Sequence, residues 1–464
     1  MSSDIAYLGA VEIGQKIAGG ELSSVEVTQH LLDRIARLDP QLGAYALLLG
    51  KQALAEAKAR DAEQKKGRTR GPLHGVPVAV KDLCDMTGTP TTAGIPMFAA
   101  RKAKKDATVV TRLREAGAVI LGKLHLTEGA LALHHPDVKP PINPWRKDLW
   151  SGASSSGSGS ATAAGLCYGS LGSDTGGSIR FPSNANGIVG LKPTWGRVSR
   201  KGVAALSDTL DHIGPMARRV EDVAAMLHAI AGRDAADQTS SALPVPDYLV
   251  AAAAGVKGLR IGYDESYCSS GIAKPIAGAI ADAVKLLREQ GAEVKAIKMP
   301  PSEAAIQAWG VIIAVEAAMA HHATYPARRE GYSEVFTGFL DAGRAVSGVD
   351  YARATVTRRE HAGNLAEVFE AVDVIIAPIT AAMVPTIKAF QALCDEPDGL
   401  NKLVEHTCVY DSTGSPVLTI PSGVTRDGVP VGFQLVGRAF EEATVCRAGL
   451  AYQSANGWRA NPNL

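Results

Sequence analysis

The sequence predicts an α/β fold, because short apolar runs alternate with amphipathic helical stretches along most of the chain and because the composition is globular. Hydrophobic residues make up 46% and charged residues 20% of the 464 positions, which is too apolar for a disordered chain. Ser23 and Glu26 form a capping-box pattern ahead of Val27, Leu31, Leu32, Ile35 and Leu38, so a helix is expected over 24–38. A second helical stretch, 52–65, leads through Gly71-Pro72 and Gly75 to Val76–Val80, a buried strand despite its proline, with Lys81 at its end. Asp106 is placed to cap a helix through Val110, Leu113 and Ala116 that Gly117 stops, and 118–121 reads as the next strand.

Beyond Arg233 a polar stretch ending in Pro244 and Pro246 resembles a connector. After it, 259–263 reads as a strand, 272–290 as a helix, 293–297 as a strand, 302–325 as largely helical and 372–377 as a strand. The last apolar segments, 417–420 and 431–435, flank the turn Arg426-Asp427-Gly428. Length alone suggests about three domains. The connector could separate two of them, or the strands on either side could share one sheet.

The 48 basic and 47 acidic side chains leave a net charge of +1, which argues against a nucleic-acid partner. The basic runs at 65–70 and 101–105 are short and have Glu63 and Asp106 beside them. Residues 1–20 lack the features of an export signal. No segment approaches the roughly 20 apolar residues of a membrane span, Glu316 interrupting the run 311–320. A soluble, cytoplasmic protein without a membrane partner is therefore expected. The six cysteines are widely separated and read as reduced thiols. The histidines show no HExxH spacing, and no metal is expected.

Residues 151–160 read SGASSSGSGS, by composition a flexible linker. The next residues argue otherwise: 161–166 is apolar, and a second glycine cluster, GSDTGGSIR, occupies 172–180. Two glycine-rich turns around a short helix let backbone N–H groups converge on a small anion. That anion could be a phosphate or a developing oxyanion; the GxxxxGK[ST] of a phosphate loop is absent, and so is the GxSxG of an α/β-hydrolase elbow.

Residues 152–159, LGSDTGGSIRFPS (171–183) and GLKPTWGRVS (190–199) resemble the amidase signature family. The likeness extends to GVPVAVKDL (75–83), PTTAG (90–94), LGKLHLTEGA (121–130), NPW (143–145), LDHIGPMAR (210–218) and GVPVGFQLVGR (428–438). It implies one α/β/α domain over 1–464, with a large mixed twisted sheet flanked by helices on both sides. The signature core would occupy about 70–220 and a more divergent, substrate-binding region about 259–406.

The resemblance also implies a Ser-Ser-Lys triad of Ser178, Ser154 and Lys81, with a cis peptide bond at Ala153-Ser154. In this region Ala153 and Ser156 depart from the common GGSSGG. Amide hydrolysis needs an activated hydroxyl, a base and oxyanion donors. Ser178 would be the nucleophile, the N–H groups of Thr175, Gly176, Gly177 and Ser178 the oxyanion hole, and Ser154 the proton relay. Lys81 can be the base only when neutral, so burial must lower it from its ordinary value of about 10.4. Ser155 reads as hydrogen-bonding support, and Asp174 and Arg180 as a buried ion pair beneath the second glycine turn.

Relatives line the acyl pocket at the position of TEGA (127–130). The small Gly129 and Ala130 lead us to expect a roomy pocket for bulky aryl or branched acyl groups. Residues 410–415 would form another wall and 309–339 a lid. The implied function is hydrolysis of carbon–nitrogen amide bonds, and of esters or carbamates (urethanes) by the same chemistry, through an acyl-enzyme, with water as co-substrate and no cofactor. The family permits a homodimer. Two other readings are the amidase subunit of a glutamyl-tRNA(Gln) amidotransferase, to which TEGA and SGASSSGS fit less well than DEFA and GGSSGGSA would, and a non-catalytic scaffold. The intact Lys81, Ser154 and Ser178 count against the scaffold.

Overall fold

The capping box starts its helix as expected. Ser23 Oγ accepts from Glu26 N and the Glu26 carboxylate accepts from Ser23 N (2.8 Å), opening a helix over Ser24–Leu42. A computed structural model describes residues 5–458 and 461–464, so the first four residues of the 1–20 stretch lie outside the described residues. Its strands are β1 (Tyr45–Leu48), β2 (Pro77–Lys81), β3 (Val119–Leu124), β4 (Gly169–Asp174), β5 (Val189–Lys192), β6 (His212–Ala217), β7 (Arg260–Tyr263), β8 (Glu293–Ala296), β9 (Val374–Ala377), β10 (Val417–Val424) and β11 (Pro430–Gly437).

All eleven form one sheet in the order β1-β3-β2-β4-β6-β5-β10-β11-β9-β7-β8. It is mixed: β2 runs parallel to β3 and β4, and β7 parallel to β8 and β9, while the remaining pairs are antiparallel. Strands from both sides of the 233–246 connector share this sheet, joined where β5 meets β10 (Val417 opposite Lys192). Helices cover both faces, which is why β2 to β6 are buried along their whole length instead of alternating.

Several elements differ from expectation. Asp106 does not cap a helix: the helix is Thr108–Glu115, and Asp106 instead accepts from Thr87 N (2.7 Å) and Thr87 Oγ1 (2.8 Å). The Ser151–Ser160 stretch is no linker. It is buried throughout and enters the helix Ser156–Ala163, with Ser158 and Ser160 hydroxyls bound to the Leu171 and Ile142 carbonyls. The helix Glu303–Ala320 is long and apolar enough to cross a membrane by length and composition. Its Glu316 is buried, however, and accepts hydrogen bonds from Ser207 Oγ, Thr209 N, Thr209 Oγ1 and Tyr351 OH (2.6–2.8 Å).

At the carboxyl ends of β2 and β3 a buried ion pair closes the sheet beneath the signature loops. Lys123 Nζ lies 2.6 Å from Asp82 Oδ1 and also donates to Pro90 O and Thr91 Oγ1. Removing one partner of a buried pair leaves the other charge uncompensated, at a cost of about 3–5 kcal/mol. Asp82→Ala is therefore expected to lower the unfolding free energy by about that amount, read as a drop in urea midpoint at unchanged m-value.

Candidate active site

β2 delivers Lys81, its last residue, into the interior. Lys81 Nζ lies 2.7 Å from Ser154 Oγ, 2.9 Å from Ser155 Oγ and 2.8 Å from Ser173 Oγ. All three partners are neutral hydroxyls. Burial therefore lowers the Lys81 pKa to about 7, against the weaker upward pull of Asp174, Asp211 and Cys84. Ser173 was not singled out from sequence. Its signal was the register of β2 on β4, which sets Val80 opposite Leu171 and so brings the serine two residues on close to Lys81.

The peptide bond Ala153-Ser154 is cis, as expected. Ser155 N donates to Ser178 O (3.3 Å), which holds the first glycine turn against the second. From Leu149 to Thr194 every residue is buried except Ser178. The hydroxyl assigned to attack thus belongs to the most exposed residue of this segment, and it opens onto a cavity.

Around Ser178 the expected oxyanion donors are only partly available. Gly177 N–H donates to Asp174 Oδ1 (2.6 Å) and is lost to an oxyanion. Among the described residues, the N–H groups of Thr175, Gly176 and Ser178 have no protein acceptor. Three donors remain where four were expected.

Asp174 and Arg180 form the expected buried pair. Arg180 Nε and Nη2 reach Asp174 Oδ2 and Oδ1 at 3.0 and 2.9 Å, and Asp174 also accepts from Ile179 N (2.9 Å). Asp411, expected in a substrate wall, lies behind the turn and binds the same guanidinium, and Arg180 Nη1 donates to Thr407 O (2.9 Å). Burial raises both carboxyls, but Arg180 outweighs it at Asp174, which stays well below the usual carboxylate range. At Asp411 burial and the nearby Asp174 outweigh Arg180, and its carboxyl is pushed up.

The roomy acyl pocket is not found. A Cβ on Gly129 would lie 2.3 Å from Phe336 Cζ, so Phe336 already fills the space that the glycine leaves. Glu128 holds that aromatic helix in place by accepting from Ser333 N (2.9 Å) and Ser333 Oγ at its N-cap. Ala130 does line the cavity beside Ser178, with Leu131, Phe181, Leu206, Trp309, Ile313, Phe390 and Leu403. The cavity measures about 60 Å³ and bears no charged side chain. The expected 309–339 lid supplies only Trp309 and Ile313 to it. The other wall comes from the helices Ile387–Asp395 and Gly399–Val404, which sequence reasoning did not single out.

A buried lysine among serines, an accessible serine and free N–H donors at a glycine turn, on an α/β fold, are the groups that hydrolysis through a serine requires. Comparison with known proteins gives the family. The Amidase family model matches residues 26–446, and the chain belongs to the amidase signature family of enzymes that hydrolyse amide bonds. It is 44% identical over 454 residues to the protein assigned as amidase AmiD of Mycobacterium tuberculosis, covering 98% of this chain and 95% of that one. It is 36% identical over 490 residues to a glutamyl-tRNA(Gln) amidotransferase subunit of Chloroflexus aggregans, covering 100% and 99%. Among solved structures, the peptide amidase of Stenotrophomonas maltophilia superposes with a TM-score of 0.86 at 32% identity, covering 98% of each chain.

The ionisation of the two carboxylates can be separated by isosteric substitution. Asp411→Asn, at the carboxyl whose pKa burial pushes up, is expected to change the unfolding free energy by no more than about 1 kcal/mol. Asp174→Asn, which takes the charge from beneath Arg180, should cost about 3 kcal/mol or more. Denaturant titration of the two variants side by side checks the assignment.

Proposed function

We propose that this enzyme hydrolyses linear amides whose acyl portion is apolar and uncharged, through an acyl-enzyme on Ser178. The observation that carries this is the environment of Lys81, a buried amine touching three hydroxyls and no carboxylate. A neutral amine has two N–H donors and one lone pair, which matches three hydroxyl neighbours. Lys81 donates to Ser155 and Ser173, and its lone pair accepts from Ser154.

Protons then move along a fixed path. Ser178 Oγ–H passes its proton to Ser154 as Ser154 passes its own to Lys81, and Ser178 Oγ bonds to the carbonyl carbon. The oxyanion receives the N–H groups of Thr175, Gly176 and Ser178. When the carbon–nitrogen bond breaks, the proton returns from Lys81 through Ser154 to the departing nitrogen. Water then repeats the sequence on the acyl-enzyme, releasing the acid and restoring Ser178. Esters and carbamates differ only in the leaving group and are open to the same steps.

The amidotransferase reading is favoured by the relatives named for it. Against it stands the cavity: glutamine carries an ammonium and a carboxylate, and no charged side chain lines the space at Ser178 to receive them.

Release of amine or ammonia from apolar anilides of increasing acyl length, aliphatic amides, aryl carbamates and glutamine, and of p-nitrophenol from p-nitrophenyl esters, tests the proposal. The native protein should cleave apolar anilides and leave glutamine intact, and Ser178→Ala should lower turnover about 10³-fold or more. Turnover of glutamine alone would transfer the function to the amidotransferase reading.

The base is tested by pH. Because Lys81 must be neutral to act and its pKa is lowered to about 7, kcat/KM should rise as pH increases through about 7 and level off above it. A flat profile between about pH 6 and 9, with chemistry limiting, would exclude Lys81 as the base.

A further inference from the structure

The oxyanion turn is held by groups from outside the signature segment. A peptide unit is planar, with its C=O and the following N–H on opposite sides, so fixing a carbonyl fixes the direction of the next N–H. Trp309 Nε1 donates to Thr175 O (2.9 Å), and this bond aims the N–H of Gly176 to the other side, toward the space before Ser178. Thr407 Oγ1 similarly donates to Gly176 O (2.6 Å). The indole also rests on Gly176 itself, where a Cβ would come within 2.4 Å of Trp309 Cζ2.

Trp309 is fixed in turn by a chain of hydrogen bonds that returns to its own helix. Thr175 Oγ1 donates to Asp211 Oδ1 (2.6 Å), and Asp211 Oδ2 accepts from Leu206 N and Ser207 N (2.9 and 3.1 Å). Ser207 Oγ donates to Glu316 Oε2 (2.6 Å), and Glu316 lies two turns beyond Trp309 on the Glu303–Ala320 helix. The chain thus runs from Trp309 through Thr175, Asp211, Ser207 and Glu316 back to the helix that carries Trp309. Two residues of this region, Trp309 and Leu206, also line the cavity beside Ser178.

Resting on the reading of Ser178 as nucleophile, we propose that Trp309 is a positioning residue: its indole N–H holds the Thr175–Gly176 peptide so that Gly176 N–H meets the oxyanion. The same ring forms the cavity wall, so the group that binds the substrate and the group that orients the donor are one. The effect belongs to the transition state, because the donor is used fully only when the carbonyl oxygen becomes negative.

The test removes the N–H and keeps the shape. Site-specific replacement of Trp309 by 3-benzothienylalanine exchanges the N–H for sulfur within the same bicycle, and Trp309→Phe is the simpler companion variant. Three quantities are compared with the native protein: kcat and KM on one anilide, affinity for a boronic acid that forms a tetrahedral adduct on Ser178, and affinity for the matching alcohol, which fills the cavity without an adduct.

The expected result is a fall in kcat of about 10- to 100-fold, a parallel loss of boronic acid affinity, and KM and alcohol affinity within about twofold of native. Unchanged kcat and boronic acid affinity would overturn the inference. A loss confined to KM and the alcohol would also overturn it and leave Trp309 as a wall alone. If the native protein neither cleaves the anilide nor binds the boronic acid, the reading of Ser178 fails, and the inference with it.

Discussion

A lysine amine taken out of water without a carboxylate partner is the constraint on which the site depends. Two lysines illustrate it, both fully buried on neighbouring parallel strands. Lys123 meets Asp82 at 2.6 Å and is a structural cation. Lys81 is next to Asp82 in sequence, yet the chain turns as β2 ends at Lys81, and the Asp82 carboxylate meets Lys123 while the Lys81 amine meets three hydroxyls. Only hydroxyls remain for Lys81, and they cannot repay the desolvation of an ammonium as a carboxylate would. The strand thus creates a structural ion pair and a titratable base from adjacent positions.

The second glycine turn shows the same economy of charge. Asp174 could have been a catalytic acid or base, but its oxygens are committed to the Arg180 guanidinium and to the N–H groups of Gly177 and Ile179. One guanidinium cannot fully neutralise two carboxylates, so Asp411 takes the raised pKa while Asp174, with more backbone donors, keeps its charge. Asp174 ends β4, and Arg180 binds Thr407 and Asp411 from the far end of the chain. The nucleophile's turn is therefore braced by the C-terminal half, which explains why β5 and β10 must pair to close the sheet around it.

Much of the fold was legible because its signals are local. The capping box at Ser23, the apolar run before Lys81 and the turn at Arg426-Asp427-Gly428 each depend on a few neighbouring residues. β4 was not legible, since GSLGSD has the composition of a turn. It becomes a strand because its glycines admit close neighbours: a Cβ at Gly169 would lie 2.4 Å from Met226 Sδ and one at Gly172 2.8 Å from Met216 Sδ. β6 likewise carries Pro215 in mid-sheet, opposite Leu171. Lys81 and Ser154 were placed by motif and meet at 2.7 Å, and the neighbour of Ser154, Ser155, binds the Ser178 carbonyl through its N–H. The Gly129 reading failed for a long-range reason, because no local pattern reveals that Phe336 fills the space.

That failure changes where substrate size must be decided. The cavity of about 60 Å³ beside Ser178 is bounded by Phe181, Trp309, Phe390 and Leu403. Across Phe181 and Leu403, which belong to both spaces, lies a second cavity of about 310 Å³ whose lining includes Lys402 and Glu405. Phe181 is itself packed on Trp150, which stacks on Phe390 at a centroid distance of 4.2 Å. Leu403 and this aromatic set separate the two spaces, whereas the turn before Ser178 is tied down by Asp174, which accepts from Gly177 N, Ile179 N and the Arg180 guanidinium.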